Sequence, residues 1–289
     1  MFRFVHAEKA HHQVRTLCGV LGVSRSGYYA WRSRRPSPRA LHDARLLDQI
    51  RLIHALSRRT YGAPRVHWEL ADAGERIGRK RVARLMRGAG IRGLYRRARR
   101  GPGRGATVHP ATDLVQRRFH TSEPNRVWVA DFTYWATSEG TLYVAAVMDL
   151  YSRMIVGWSI SQSLRAEFVI DAVEMATARR DPAPGLIHHS DQGTQYTSFS
   201  FGRRLAEAGI FPSMGRTGTP ADNAVVESMF DKMKLELLLG RRYETREQAR
   251  SAIFEWIEVW YNRRRRHSTL GGVSPAEFER RYALQAAID

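Results

Sequence analysis

Apolar positions in the first part of the chain recur at helical spacing. Val14, Leu17 and Leu21 share one face, Gly22 ends that helix, and Ser24 caps a second one carrying Tyr28, Tyr29 and Trp31. Residues 12–32 therefore predict two short helices around a glycine turn. That is the plan of a helix-turn-helix, and also of a small packing hairpin that never touches DNA. A linker with Pro36 and Pro38 precedes a helical block from Leu41 to about Ile91, where Val82, Leu85 and Met86 form an apolar stripe. From about Arg126 the pattern becomes that of strands: 127–135, 142–150, 154–160, 185–188 and 210–213, with helices at 166–178 and 199–208. The order βββαβαβ, opening on a hairpin, implies an α/β fold with a mixed sheet flanked by helices. The end is helical again, with Ile253, Trp256, Ile257 and Trp260 at i, i+3, i+4 and i+7 and a further helix starting at Ser274–Pro275.

Charge divides the chain in two. Its 289 residues carry a net charge of +19, from 47 Lys and Arg against 28 Asp and Glu. Residues 1–110 hold 25 basic and 6 acidic residues, whereas residues 111–289 hold 22 of each. The whole excess lies in the first segment, which calls for a polyanionic partner, nucleic acid ahead of any other. Within it Arg79, Lys80, Arg81 and Arg84 crowd the helix that carries the Val82 stripe and are candidate phosphate contacts. Arg96 to Gly105 has no face to bury and reads as a charged tether. The expected organisation is a hairpin at 1–35, a basic helical block at 41–100, a linker at 101–120, a catalytic core at 121–240 and a helical tail at 241–289. With 43% hydrophobic residues the chain can build a core, and its longest apolar runs fall far short of the ~20 residues of a membrane helix. One cysteine, Cys18, excludes an internal disulfide framework. With an N-terminus that lacks an apolar leader, this gives a reducing, cytoplasmic expectation.

Four acids stand out by context. Asp131 interrupts an apolar strand, and burying a carboxylate there costs several kcal/mol unless it is paired or binds a metal. Asp191 follows a strand directly, at the carboxyl end of a sheet, where α/β folds place their sites. Asp149 also ends a strand and reads either as a site residue or as a turn former bonding the backbone of Tyr151 or Ser152. Glu227 lies on a helix whose N-cap is expected to be Asp222; Asn223, Glu227, Asp231 and Lys234 share one face of it. Carboxylates from two strands and a helix can cage two Mg²⁺ ions about 3.5–4 Å apart, the arrangement that serves phosphoryl transfer. Mn²⁺, equally oxygen-liking, could substitute. No Ser or Tyr is set beside a partnering base as a nucleophile, so water or a DNA 3′-hydroxyl would attack.

These residues, with their flanks, resemble the Asp-Asp-Glu transposases of bacterial insertion sequences, specifically the second-frame product of the IS-three family, which is related to retroviral integrases. The matching segments are Trp128 to Tyr134, His189 to Tyr196 and Asp222 to Phe230, followed by Lys232-Met233-Lys234, Tyr261-Asn262, His267 and Ser274-Pro275. The family places 35 residues between its second Asp and its Glu, and 35 residues lie between Asp191 and Glu227 here. A basic residue seven beyond the Glu is matched by Lys234. The resemblance implies an RNase H-like core in which Asp131, Asp191 and Glu227 ligate the metals. It also implies cutting and rejoining of the element's DNA ends without a covalent enzyme intermediate. It further implies a dimer or larger synaptic complex, and a first-frame product as partner.

Several residues keep two readings. Lys234 either approaches the transferred DNA end or pairs with Asp231. His189 either orients water or the target strand, or packs. His188 and His189 beside Asp191 suggest zinc, but a second ligand cluster is lacking. Trp128, Trp256 and Trp260 either stack bases or build the core, and Arg263 to Arg266 either contact DNA or form a solvated run. The rival functions are a catalytically silent DNA-binding regulator and an RNase H-type nuclease that cuts without joining.

Overall fold

The computed structural model describes residues 1–94, 114–115, 121–215, 223–238 and 241–288. The expected tether at 96–105, nearly all of the 101–120 linker and the Asp222 cap lie outside the described residues. Three short helices open the chain: α1 (Phe2–Glu8), α2 (Val14–Val20) and α3 (Arg25–Ser33). They close on a small core of Val5, Cys18 and Tyr28. The predicted pair is α2 and α3, with Ser24 Oγ accepting from the Gly27 N–H at 3.0 Å. The basic block is α4 (Pro38–Leu56), α5 (Ala63–Asp72) and α6 (Arg79–Gly88).

A five-stranded sheet follows, made of β1 (Val127–Thr137), β2 (Gly140–Asp149), β3 (Ile155–Ser161), β4 (Ile187–Ser190) and β5 (Phe211–Met214) in the order β3-β2-β1-β4-β5. The first three strands form an antiparallel meander, and β4 and β5 run parallel to β1. Between them lie α7 (Glu167–Arg180) and α8 (Phe199–Glu207); α9 (Ala224–Leu238), α10 (Arg246–Phe254) and α11 (Pro275–Ala286) complete the chain.

Strand alternation sorts side chains into two cores. Trp128, Ala130, Ala145 and Val147 pack with α7 and α8 on one face. Val129, Val144, Ala146 and Met148 point the other way, into a larger cluster with α9, α10 and the helices of the basic block. Leu46, Val66, Leu70, Val82 and Met86 thus share a core with the sheet and with Trp256 and Trp260 of the tail. On the α7 side a Cβ at Gly157 would sit 2.1 Å from the Ala172 carbonyl oxygen, so glycine is what lets the helix lie this close to β3.

The tail departs from the predicted regular helix. Residues Glu255–Tyr261 wind as a π-helix, and the Asn262 N–H donates to the Ile257 carbonyl at 3.0 Å. The wider turn keeps Trp256, Ile257, Trp260 and Tyr261 all buried on one side. Among the described residues no helix is long and apolar enough to cross a membrane.

Candidate active site

Asp131 sits mid-strand in β1, opposite Ala146 of β2. On the other side of β1 the parallel register pairs Val129 with His189 of β4. Two residues further along each strand come Asp131 and Asp191, brought across from each other just where β4 ends. β1 continues past that point, which leaves its edge open beside Asp131. Asp191 accepts the Gly193 N–H at 3.0 Å and Asp131 the Phe132 N–H at 2.8 Å. The Phe132 ring is held edge-on against Phe168, centroids 5.5 Å apart.

Glu227 approaches from α9, near enough for its charge to act on Asp131. That helix buries Val226, Met229, Phe230, Met233 and Leu237 against the sheet. Buried Asn223 fixes its start, donating from Nδ2 to the Ala130 carbonyl, one residue before Asp131, at 3.1 Å. Lys234, two turns on, holds its ammonium 4.4 Å from the Tyr134 ring centroid. Tyr134 lies three residues beyond Asp131 on β1 and is exposed; in the sequence it stands only as a β-forming residue at the end of the Trp128 to Tyr134 segment, with no role of its own.

The electrostatics show what the arrangement lacks. Burial, then the charges of Asp191 and Glu227, push the Asp131 carboxyl up to about 7, against the Phe132 N–H and Lys234, which pull it down. Burial raises Asp191, and burial together with Asp231 and Asp191 raises Glu227. Asp131 thus feels the charges of both other acids, and Glu227 that of Asp191, on top of burial. Among the described residues no three His, Cys, Asp or Glu side chains are drawn close enough to hold an ion unaided. The donor set is all-oxygen and hard, and its mutual repulsion is what a divalent cation relieves, so the residues fit such an ion in chemistry and charge.

The other expected residues are placed as follows. His189 is buried, its Nδ1 2.9 Å from Ser213 Oγ, which favours the packing reading. His188 is sealed between Tyr196 and Phe201 and pushed down to about 3, first by burial. Asp149 is a turn former: its Oδ1 accepts from the N–H groups of Tyr151 and Ser152 at 2.9 and 3.0 Å, and its Oδ2 from that of Asn125 at 2.6 Å. The three tryptophans are core, with Trp256 and Trp260 both donating Nε1–H to Glu236 Oε2 at 2.9 Å. On α6, Arg79 and Lys80 are exposed, whereas Arg81 and Arg84 both pair with Asp43 at 2.7 Å.

Both readings of the Arg263 to Arg266 run need correcting at its second half. Arg265 is buried on Glu236, and Arg266 is clamped by Glu69 and Asp72 of α5. These two arginines join the tail to the core and to the basic block and do not project into solvent. Glu236, the hub of this seam, gave no signal in the sequence.

A mixed five-stranded sheet in this order, flanked by helices, is the RNase H-like architecture. The family comparisons agree. Residues 121–220 and 208–275 match integrase core domain models, and residues 41–99, which span α4 to α6, match an HTH-like domain. The uncharacterized 31 kDa protein of insertion element IS600 from Shigella sonnei is 42% identical over 94% of this chain and 100% of its own length. The transposase InsF of insertion sequence IS3A from Escherichia coli is 37% identical over 96% and 97%. The putative transposase of IS986/IS6110 from Mycobacterium tuberculosis is 41% identical over 91% and 97%. Among solved structures, the catalytic core domain of BIV integrase is 21% identical, with a TM-score of 0.43 over 56% of this chain and 99% of that one.

The chain belongs to the integrase-core transposases of bacterial insertion sequences, the IS-three (IS3) family. Its function is DNA transposition, its two domain types are DNA-binding, and divalent metal ions are the cofactor class of such cores.

Proposed function

We propose that this chain is a catalytically competent Asp-Asp-Glu transposase whose metal-holding triad is Asp131, Asp191 and Glu227. The carrying observation is a carboxylate buried mid-strand at Asp131, held up to about 7 by burial first and then by the charges of Asp191 and Glu227. Uncompensated negative charge of this kind, at the mouth of a sheet, is the signature of a site prepared for cations. Mg²⁺, with Mn²⁺ as substitute, is the fitting ion, and two per site suit the reaction. Bound there, the ions supply activation of the attacking oxygen and stabilisation of the leaving one.

The chain's own residues then have separable tasks. Asn223 pins the start of α9 to β1 and so sets how far Glu227 stands from Asp131. Lys234, steadied on the Tyr134 ring, meets a phosphate of the DNA end. Arg79 and Lys80 on α6, with Arg81 and Arg84 when released from Asp43, contact the duplex backbone. In strand transfer the 3′-hydroxyl of the element end forms a new bond to a target phosphorus, and the target's P–O3′ bond breaks. The proton lost by the attacker is balanced by the one the leaving 3′ oxygen gains. The work is done in the cytoplasm by a dimer or larger assembly that holds two ends at once, together with a first-frame product.

The test is joining activity on the element's own end. Asp131→Asn and Asp191→Asn should each abolish strand transfer while DNA binding stays near the wild-type level. Wild-type joining in either variant removes that residue from the triad. Metal-dependent cutting without any joining would favour the nuclease, and binding alone, even with the first-frame product added, the silent regulator.

A further inference from the structure

The seam between α9, the tail and the basic block gathers more positive charge than it can satisfy internally. Glu69 and Asp72 are taken up by Arg266, and the buried acid of the seam, Glu236, is fully engaged: Oε1 accepts from Nε and Nη2 of Arg265 at 2.9 and 2.8 Å, and Oε2 accepts both tryptophan indoles. Four donors use up a carboxylate's acceptor positions. Lys232, one turn before Glu236 on the same helix, donates to a neutral hydroxyl, Ser228 Oγ, at 2.8 Å. Arg65 of α5 donates its Nε–H to a neutral carbonyl, that of Arg266, at 2.9 Å. His267 is 7% exposed, its ring edge-on to Tyr261 with centroids 4.8 Å apart, and its Nε2 has no hydrogen-bond partner. Arg153, also buried, adds its charge to the same field.

We propose that Lys232, Arg65 and His267, beside the Arg265–Glu236 pair, form an anion site for a phosphate group at this seam. Buried cations are stable when paired, and neutral acceptors solvate a positive charge without balancing it. The groups behave accordingly. Burial, then Arg265 and Arg65, holds the Lys232 ammonium down to about 8, and burial followed by Arg265 holds Arg65 down to about 10. Burial and all four neighbouring cations keep His267 in its uncharged form. A tetrahedral oxyanion offers oxygens to several donors at once, so it suits an ammonium and a guanidinium carried by different elements of one seam. Lys232 and Arg65 remain partly exposed, so the anion enters from their side. Residues from three parts of the chain contribute, so occupancy stabilises the way they are joined. The site is independent of the three acids.

The probe is inorganic phosphate. The melting temperature of the full chain is measured in millimolar phosphate against chloride at the same ionic strength, with no divalent metal. The wild type should gain roughly 2–4 °C in phosphate. Lys232→Met, which keeps the length of the side chain and loses its charge, should melt higher in chloride and gain nothing further from phosphate. No phosphate-specific gain in the wild type, or the same gain in Lys232→Met, overturns the site. A second arm separates the two sources of phosphate. If a DNA backbone phosphate occupies the site, Lys232→Met lowers the salt slope of duplex binding by about 0.9. An unchanged slope, with the thermal gain still lost in the variant, assigns the site to a free anion.

Discussion

Arg265 and Glu236 form an ion pair at 2.8 Å in which both side chains are only 3% exposed. The pair joins the tail to the helix that carries Glu227, and both tryptophans of the π-helix turn lock onto the same carboxylate. Removing one partner leaves a buried charge without balance, which typically costs about 3–5 kcal/mol. Glu236→Gln should therefore destabilise the protein by that order in urea unfolding, and Arg265→Met similarly. A loss below about 1 kcal/mol in both would show that the seam is solvated.

A second expectation concerns Asp131 itself. Its carboxyl is raised from 3.8 to about 7, so the folded chain binds more protons there than the unfolded chain between those values. Stability therefore falls as pH rises through that window, and the full cost is present above about pH 7. Without metal, Asp131→Asn should be more stable than the wild type at pH 8, by about 1–3 kcal/mol, and this advantage should vanish near pH 4. Mg²⁺ should stabilise the wild type and not the variant. A variant less stable than the wild type at pH 8 would contradict the electrostatic account of the site.

The basic block offers a third. Arg79→Gln and Lys80→Gln together should lower the slope of log K against log salt for duplex binding by about 2, since each phosphate contact contributes about 0.9. Arg81→Gln and Arg84→Gln should lower it less, because Asp43 already holds both side chains, and should cost some stability. Deleting residues 1–110 is a poor substitute for these changes: Leu46, Val66, Leu70 and Val82 are part of the core cluster that lies against the sheet. Equal slopes for all four variants and the wild type would move the DNA contact off α6.

Gly157→Ala tests the close packing behind the sheet. The new Cβ would meet the Ala172 carbonyl and the Ala176 backbone nitrogen, at 2.1 and 2.7 Å, and backbone cannot step aside cheaply. A loss of about 3 kcal/mol is expected, at the upper end of overpacking. A neutral result would mean that α7 can lift away from β3.

What could be read without coordinates follows from the range of each interaction. Runs of β-forming residues marked β1, β2 and β3, and helical spacing marked α7, because those signals are local. The site acids were legible through context and spacing: Asp131 breaks an apolar strand, Asp191 follows one, and 35 residues separate Asp191 from Glu227. The seam was not legible. Arg265 is 29 residues from Glu236, and Arg81 and Arg84 are 38 and 41 from Asp43, so those arginines look solvent-facing until folding pairs them. The π-helix was hidden because the Trp256 and Trp260 spacing suits an ordinary helix equally well. Helix α1, with a single buried residue in its seven, is too short to carry a periodic signal.

The most direct test of the triad is Mn²⁺ binding to the protein on its own DNA end, followed by electron paramagnetic resonance with Glu227→Gln alongside. Two bound ions per chain, close enough to couple, with the coupling lost in the variant, is the predicted result. No protein-bound Mn²⁺, or a signal identical in wild type and variant, would contradict Asp131, Asp191 and Glu227 as its ligands.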